Sequence, residues 1–316
     1  MNRQKIVFAS IADVKRRPLM WSGIFCAKCC TWIAWVAFCV YKLCFSNDLI
    51  VTLALQLLLG AAFAHGVELQ HQALHQSGFR SRRLSRIFGV ALGLPMLVSY
   101  SSYQDSHLYH HSKLGTPEDL EFFDYGDKEK RSLMSIFKHF FLINHFCDFL
   151  KRVIDSLNGS FLPTRLLSSN AIKMRFEYIL IACAFFGLAL TASHFHSNLF
   201  VKCWLIPLFV FAAPIHALIE LPEHFECDKT SGDAFQNTRT VKTHALVTWF
   251  TNGNNYHVEH HWVASLPIEK LSSLHREIEG KISNLSSSYT SFYVKFFSNL
   301  LFGVRESKVK ANLDGG

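Results

Sequence analysis

Four long apolar runs, at about residues 21–45, 49–66, 176–193 and 199–221, constrain this chain more than any other feature of its sequence. Each comes near or exceeds the ~20 apolar residues that a helix needs to cross a bilayer core, and a helix satisfies its own backbone polar groups in lipid. Composition agrees. Of 316 residues 50% are hydrophobic and 29 are Phe, and the mean hydropathy is +0.17, too apolar for an ordinary soluble domain. The turn Ser46-Asn47-Asp48 joins the first two runs and His194 to Asn198 joins the last two, so the spans pair as two hairpins.

The remaining segments divide the chain into a basic lead-in (1–18), a membrane domain (19–280) and a tail (281–316). Residues 84–100 are apolar but short, and Gly89, Gly93 and Pro95 interrupt them; a re-entrant or interfacial segment is expected there. Ser135 to Phe149 is amphipathic, as a helix lying on the membrane plane would be. In the tail, Tyr289 to Phe302 is apolar enough to touch lipid. At the N-terminus, charged residues and Pro18 precede an apolar stretch that is long and lacks a small-residue cleavage site, so it reads as a first span and not a cleaved signal.

The net charge of +8 is spread over short runs flanking the apolar segments: Lys15 to Arg17, Arg80 to Arg86, Lys128 to Arg131, and Lys308 with Lys310. No basic stripe forms, which excludes a nucleic-acid partner and favours anionic lipid. Neither short turn carries Lys or Arg, whereas every long segment is rich in them. The positive-inside rule therefore places both termini and the polar segments in the cytoplasm. The nine cysteines form no disulfide framework: most lie inside apolar runs, and Cys26, Cys29 and Cys30 lack the partners of a zinc site.

Just beyond the apolar runs, nine of the 17 histidines follow a pattern. His71 and His75 are spaced H-x-x-x-H; His107, His110 and His111 read H-L-Y-H-H; His257, His260 and His261 read H-V-E-H-H; and His224 follows Glu220 by one helical turn. Positions i, i+3 and i+4 share an arc of about 100° on a helix, so each triplet can offer imidazoles to two adjacent metals. A helix continuing out of the second run carries His71 and His75 roughly 10–15 Å beyond the apolar core. One such box alone is most often a surface pair; three boxes on one membrane side point to a polynuclear metal centre. The fold expected is an all-α integral membrane protein, four transmembrane helices in two hairpins under a cytoplasmic helical cap that holds a di-metal site. Glu68, Asp105, Asp119 and Glu259 are candidates to orient ligand imidazoles. His65 falls off the ligand face, and His216 shares the face of Glu220. His139, His145, His194, His196, His244 and His275 lack a box context and are assigned surface or core roles.

These boxes resemble those of the membrane fatty-acid desaturase and hydroxylase superfamily. The likeness extends through Phe79-Arg80-Ser81-Arg82-Arg83-Leu84, which resembles the superfamily's first-box region, and through Glu223-His224-Phe225-Glu226-Cys227, Asn237-Thr238-Arg239-Thr240, Asn255-Tyr256-His257, and Leu266-Pro267 with Leu271 and His275, which are similar to the bacterial acyl-lipid branch. It covers about residues 20–280. The resemblance implies two iron ions, O2, two electrons, and removal of two hydrogens from an alkyl chain of an acyl lipid. It implies as ligands His71, His75, His107, His110, His111, His224, His257, His260 and His261, with Glu220, in place of an amide residue, holding a metal-bound water. No H-P-G-G haem motif occurs in either tail, so electrons are expected from a separate ferredoxin-like carrier, with the enzyme in a bacterial inner membrane. A lipid or carotenoid hydroxylase or ketolase would use the same metals and remains the alternative. A metal transporter or structural zinc protein is the reading from another class; its ligands belong within the spans, whereas these histidines lie beyond them.

Overall fold

The computed structural model describes residues 22–119, 133–161 and 168–302. The basic lead-in, the Lys128 to Arg131 run and the end of the tail with Lys308 and Lys310 lie outside the described residues, as does Trp21. Among the described residues four helices are long and apolar enough to cross a membrane: α1 (Gly23–Phe45), α2 (Leu49–Leu74), the third from Asn170 to His194, and the fourth from Val201 to His224.

Local chemistry starts and stops these spans where the sequence suggests. The Ser22 side chain accepts from Phe25 N at 3.0 Å to cap α1, and Asp48 accepts from Val51 N at 2.8 Å to cap α2. With 26 residues α2 is about 39 Å long, some 10 Å more than a hydrocarbon core. Its last turns therefore stand clear of the lipid, with His71 in the helix and His75 as its C-cap. Large apolar side chains such as Ile50 and Ile172 are more than three-quarters exposed, 78% and 77%. In a span that surface faces lipid.

The interrupted segment at 84–100 becomes a broken helix pair. Helix α3 (Arg82–Gly93) and a 3-10 turn (Leu94–Met96) lead into α4 (Tyr100–Lys113) through a 96° bend. Leu97 sits there at φ +60°, and a Cβ on Gly93 would collide with Gln70 Nε2 and lie 2.6 Å from Val98 O. Gln70, buried on α2, donates to Gly89 O at 2.9 Å and to Val98 O at 3.4 Å, meeting carbonyls near the break. The amphipathic stretch expected over 135–149 forms two helices, α5 (Leu133–Phe140) and α6 (Ile143–Asn158), divided where Leu142 takes φ +51°.

The third span, α7 (Ser168–His194), starts earlier than its apolar run, and the fourth, α8 (Val201–His224), ends three residues later than its run. The first half of α8 is wound as π-turns, Val201–Leu205 and Pro207–Ala212. Pro207 cannot donate to the ladder, and such widened turns absorb the defect. There α8 lies against α2 so closely that a Cβ on Gly60 would meet Pro207 O at 2.8 Å.

After α8 the cap is built from short pieces: α9 (Ala234–Asn237), β1 (Thr240–Val241), α10 (Ala245–Phe250), α11 (His257–Trp262), α12 (Leu271–Ile278) and β2 (Leu285–Ser286), ending in α13 (Tyr289–Phe302). β1 and β2 pair in parallel, Thr240 opposite Leu285. Phe292 and Phe296 of α13 bury against Leu221 and Phe225, while Val294 and Leu301 stay exposed.

Candidate metal centre

Four elements deliver the nine box histidines to one place: the end of α2, the length of α4, the last residue of α8, and α11. His71, His75, His107, His111 and His260 form a group whose ligand atoms all lie within 4.8 Å of one another; His110, His224 and His261 form a second. In the first, His107 Nε2 is 2.7 Å from His71 Nε2 and 3.0 Å from both His75 Nε2 and His111 Nε2; His111 Nε2 is 3.1 Å from His260 Nε2. His257 joins the second group through its Nε2, 2.9 Å from His224 Nε2 and 3.1 Å from His261 Nε2. The stacked rings of His111 and His261, 4.1 Å apart, connect the two.

Donor chemistry decides what such a pocket can hold. Nitrogens ~2.1 Å from one metal and about 90° apart are about 3.0 Å from each other, against about 3.4 Å at the tetrahedral angle. The observed spacings match the crowded arrangement, and five imidazoles exceed the four ligands of a structural zinc site. Burial, and then the repulsion of neighbouring imidazolium charge, hold His107, His111, His257, His260 and His261 well below the ordinary histidine range. They are neutral at physiological pH, the form that ligates metal.

Outer contacts choose the tautomers. His71 Nδ1 meets Asn254 Oδ1 at 2.8 Å, His110 Nδ1 meets Asp119 Oδ1 at 2.8 Å, and His224 Nδ1 meets Asn237 O at 3.1 Å. Each of these oxygens accepts, so each Nδ1 carries the hydrogen and each Nε2 turns a lone pair inward. Asp119 thus orients a box imidazole directly, and Glu68 does so at one remove, by accepting from Asn254 Nδ2. Glu259 works differently. Fully buried, it accepts from Thr240 Oγ1 at 2.6 Å and from His275 Nδ1 at 2.5 Å, which pins α11 to β1 and α12. His275 accordingly has a core role. Asp105 is buried on α4, and His65 is buried with Nδ1 on Phe250 O at 2.6 Å, outside both groups. Glu220 also lies outside both; its Oε1 is 3.1 Å from His216 Nε2.

Asn254 and Glu177 carry much of this arrangement and had no role in the sequence reading. Glu177, 1% exposed on α7, accepts from Ser99 Oγ at 2.8 Å, Ser101 N at 2.7 Å, Ser101 Oγ at 2.7 Å and Arg86 Nε at 2.9 Å. A carboxylate at the N-terminus of α4 both caps the helix and complements its dipole, and so sets the height of His107, His110 and His111. The signal was present: a carboxylate within an apolar run is costly and marks a site.

A sequence-family comparison bears directly on this geometry. The family model described as fatty acid desaturase matches residues 48–293, well over half of the chain and all nine box histidines. The chain belongs to the fatty acid desaturase family. Among curated proteins, no match is found. Membership makes this desaturase-family chain an integral membrane oxidoreductase of the desaturase–hydroxylase type with a lipid substrate, in place of a transporter or structural zinc protein. Its two histidine groups are consistent with a di-metal site. Beneath the broken helix pair, an apolar cavity of about 560 Å³ runs between α1, α2, α7 and α8, lined by residues that include Val40, Phe63, Pro95, Leu188, Phe200 and Trp204.

Proposed function

We propose that the protein is an O2-dependent di-iron desaturase that introduces a double bond into the alkyl chain of an acyl lipid. What carries the reading is the convergence of nine buried or half-buried imidazoles in two adjoining groups, with ligand nitrogens about 3 Å from their neighbours. His71, His75, His107, His111 and His260 would hold one iron; His110, His224, His257 and His261 would hold the other. The chemistry iron supplies when bound is activation of O2 with two electrons, strong enough for an unactivated C–H bond and outside the reach of redox-silent zinc. The chain's own part is positional. Asn254, Asp119 and Asn237 keep lone pairs aimed inward, and the apolar cavity would exclude water and take a hydrocarbon chain. Glu220 is assigned to hold a water beside the metals, as the family pattern implies.

The same reading places the histidine cap and both termini in the cytoplasm of a bacterial inner membrane, with electrons from a separate ferredoxin-like carrier. Support comes from the two short turns, which carry no Lys or Arg, and from exposed Arg80, Arg82 and Arg83 on the cap side. Lipid mass spectrometry of cells expressing the protein, beside His110→Ala and His260→Ala, tests the proposal. A lipid lighter by two hydrogens that vanishes in both variants is expected. A lipid heavier by one oxygen would make the protein a hydroxylase, and an unchanged lipid profile would defeat both.

A further inference from the structure

The centre is reached from α8 by a line of buried polar groups that runs from Glu220 to His71. His216, one turn before Glu220, is 3% exposed. Its Nε2 is 3.1 Å from Glu220 Oε1 and its Nδ1 is 3.3 Å from Glu68 Oε1. The second oxygen of Glu68 accepts from Asn254 Nδ2, and Asn254 Oδ1 faces His71 Nδ1 at 2.8 Å. Three distant parts of the chain meet in this line: α8, α2, and the loop before α11. All five residues are less than a tenth exposed, with Asn254 at 5% and Glu68 at 1%.

An amide side chain has two unlike ends, and which end faces His71 decides the ligand. With Nδ2 toward the imidazole, His71 Nδ1 would have to accept, and its hydrogen would sit on Nε2, aimed at the metal. With Oδ1 there, Nδ1 carries the hydrogen and Nε2 is free to ligate. His71 cannot enforce the choice, because its neutral ring can present either face. Glu68 can: its carboxylate oxygen accepts from Asn254, so it takes the Nδ2 end and leaves Oδ1 for His71. His216 Nδ1 lies 3.3 Å from the other carboxylate oxygen and packs beside it, while Glu220 holds the opposite side of the His216 ring.

We propose that Glu68 and Asn254 are positioning residues that set the ligand tautomer of His71, with His216 and Glu220 as their anchor on α8. The inference rests on the di-iron reading above. Its logic depends on the direction of hydrogen bonds and not on packing volume, so exchanging the two groups should be tolerated where changing one is not. In Asn254→Asp two carboxylates face each other in a buried site and repel. When Glu68→Gln is combined with Asn254→Asp, the amide now on α2 donates to the carboxylate now on the loop, which again accepts from His71.

The test measures iron retained per chain against a graded chelator, on full-length protein in detergent whose folding is checked by gel filtration. Asn254→Asp is expected to weaken iron retention about 10- to 100-fold, the usual scale for such outer contacts, and the double variant to recover most of it. Asn254→Ala should lose iron equally and gain nothing from Glu68→Gln; it serves if Asn254→Asp does not fold. Wild-type retention in Asn254→Ala, or a double variant no better than the single, overturns the relay alone. A wild-type chain that takes up no iron sinks the di-iron reading, and this inference with it.

Discussion

The two histidine groups are built on different foundations. The five-membered group stands on α2, a span continuous from Leu49 to Leu74, and its outer contact runs through Asn254 to Glu68, both buried. The group around His110, His224 and His261 hangs from the end of α8 and from short cap elements. Its outer contacts are Asp119, on the loop after α4, with a side chain 14% exposed, and Asn237 of the four-residue α9. A ligand on a long packed helix loses its geometry only if the bundle opens, whereas one held by a loop loses it in local fluctuations. The first position should therefore hold metal more tightly than the second, and only α4 and α11 belong to both.

Ligand removal breaks this comparison most directly. His107→Ala is expected to empty the first position and spare the second, and His224→Ala the reverse, with product formation abolished in both. Metal per chain measured by mass spectrometry decides, and loss of all metal from either variant would merge the two positions into one unit. Glu177→Ala should act on both positions at once, because it frees the start of α4. Its loss leaves the buried Ser99 and Ser101 donors without their acceptor, at about 1–3 kcal/mol for each unsatisfied group, so a large drop in melting temperature is expected along with loss of all metal. A variant that melts like wild type would remove Glu177 from the site's support. Asp119→Ala touches the second group alone, weakening that metal roughly 10-fold while the first stays bound. Equal loss from both positions in a chelator titration would contradict the division.

A further effect concerns metal-free protein and leaves the division between the two groups untouched. His107, His111, His257, His260 and His261 are held neutral in the fold and take up protons once unfolded below their ordinary value of ~6.5. The unfolded state then binds more protons, so stability is full above pH ~6.5 and declines as pH falls below it. Melting temperatures from pH 8 to pH 5 would reveal this, and a flat profile would mean that these imidazoles are not buried neutral.

Much of this was legible because two periodicities carry it. Apolar runs of bilayer length located four spans to within a few residues at most ends, and the i, i+3, i+4 spacing put each histidine box on one helix face. The break at 84–100 was legible too, from Gly89, Gly93 and Pro95. Less so was the stretch over 135–149, where a left-handed Leu142 splits one expected helix into two. Such a kink rests on tertiary contacts and leaves no Gly or Pro as a sign. Glu259 shows another limit. Its place inside a box suggested contact with ligand imidazoles, yet a helix turns successive side chains about 100° apart, and it faces Thr240 and His275.

From the order of amino acids alone follow the membrane class, the helical pairing, and nine imidazoles gathered on one side of the bilayer, since hydropathy and helix period are properties of neighbours in sequence. Which histidines fall into one group was decided only by the tertiary structure. His111 and His110 are adjacent in the chain yet fall into different groups, because the helix turns them about 100° apart, His111 toward His75 and His110 toward His224. The same holds for Asn254 and Glu68, 186 residues apart. Their bond, and the tautomer it selects, exists only once the loop before α11 has folded against α2.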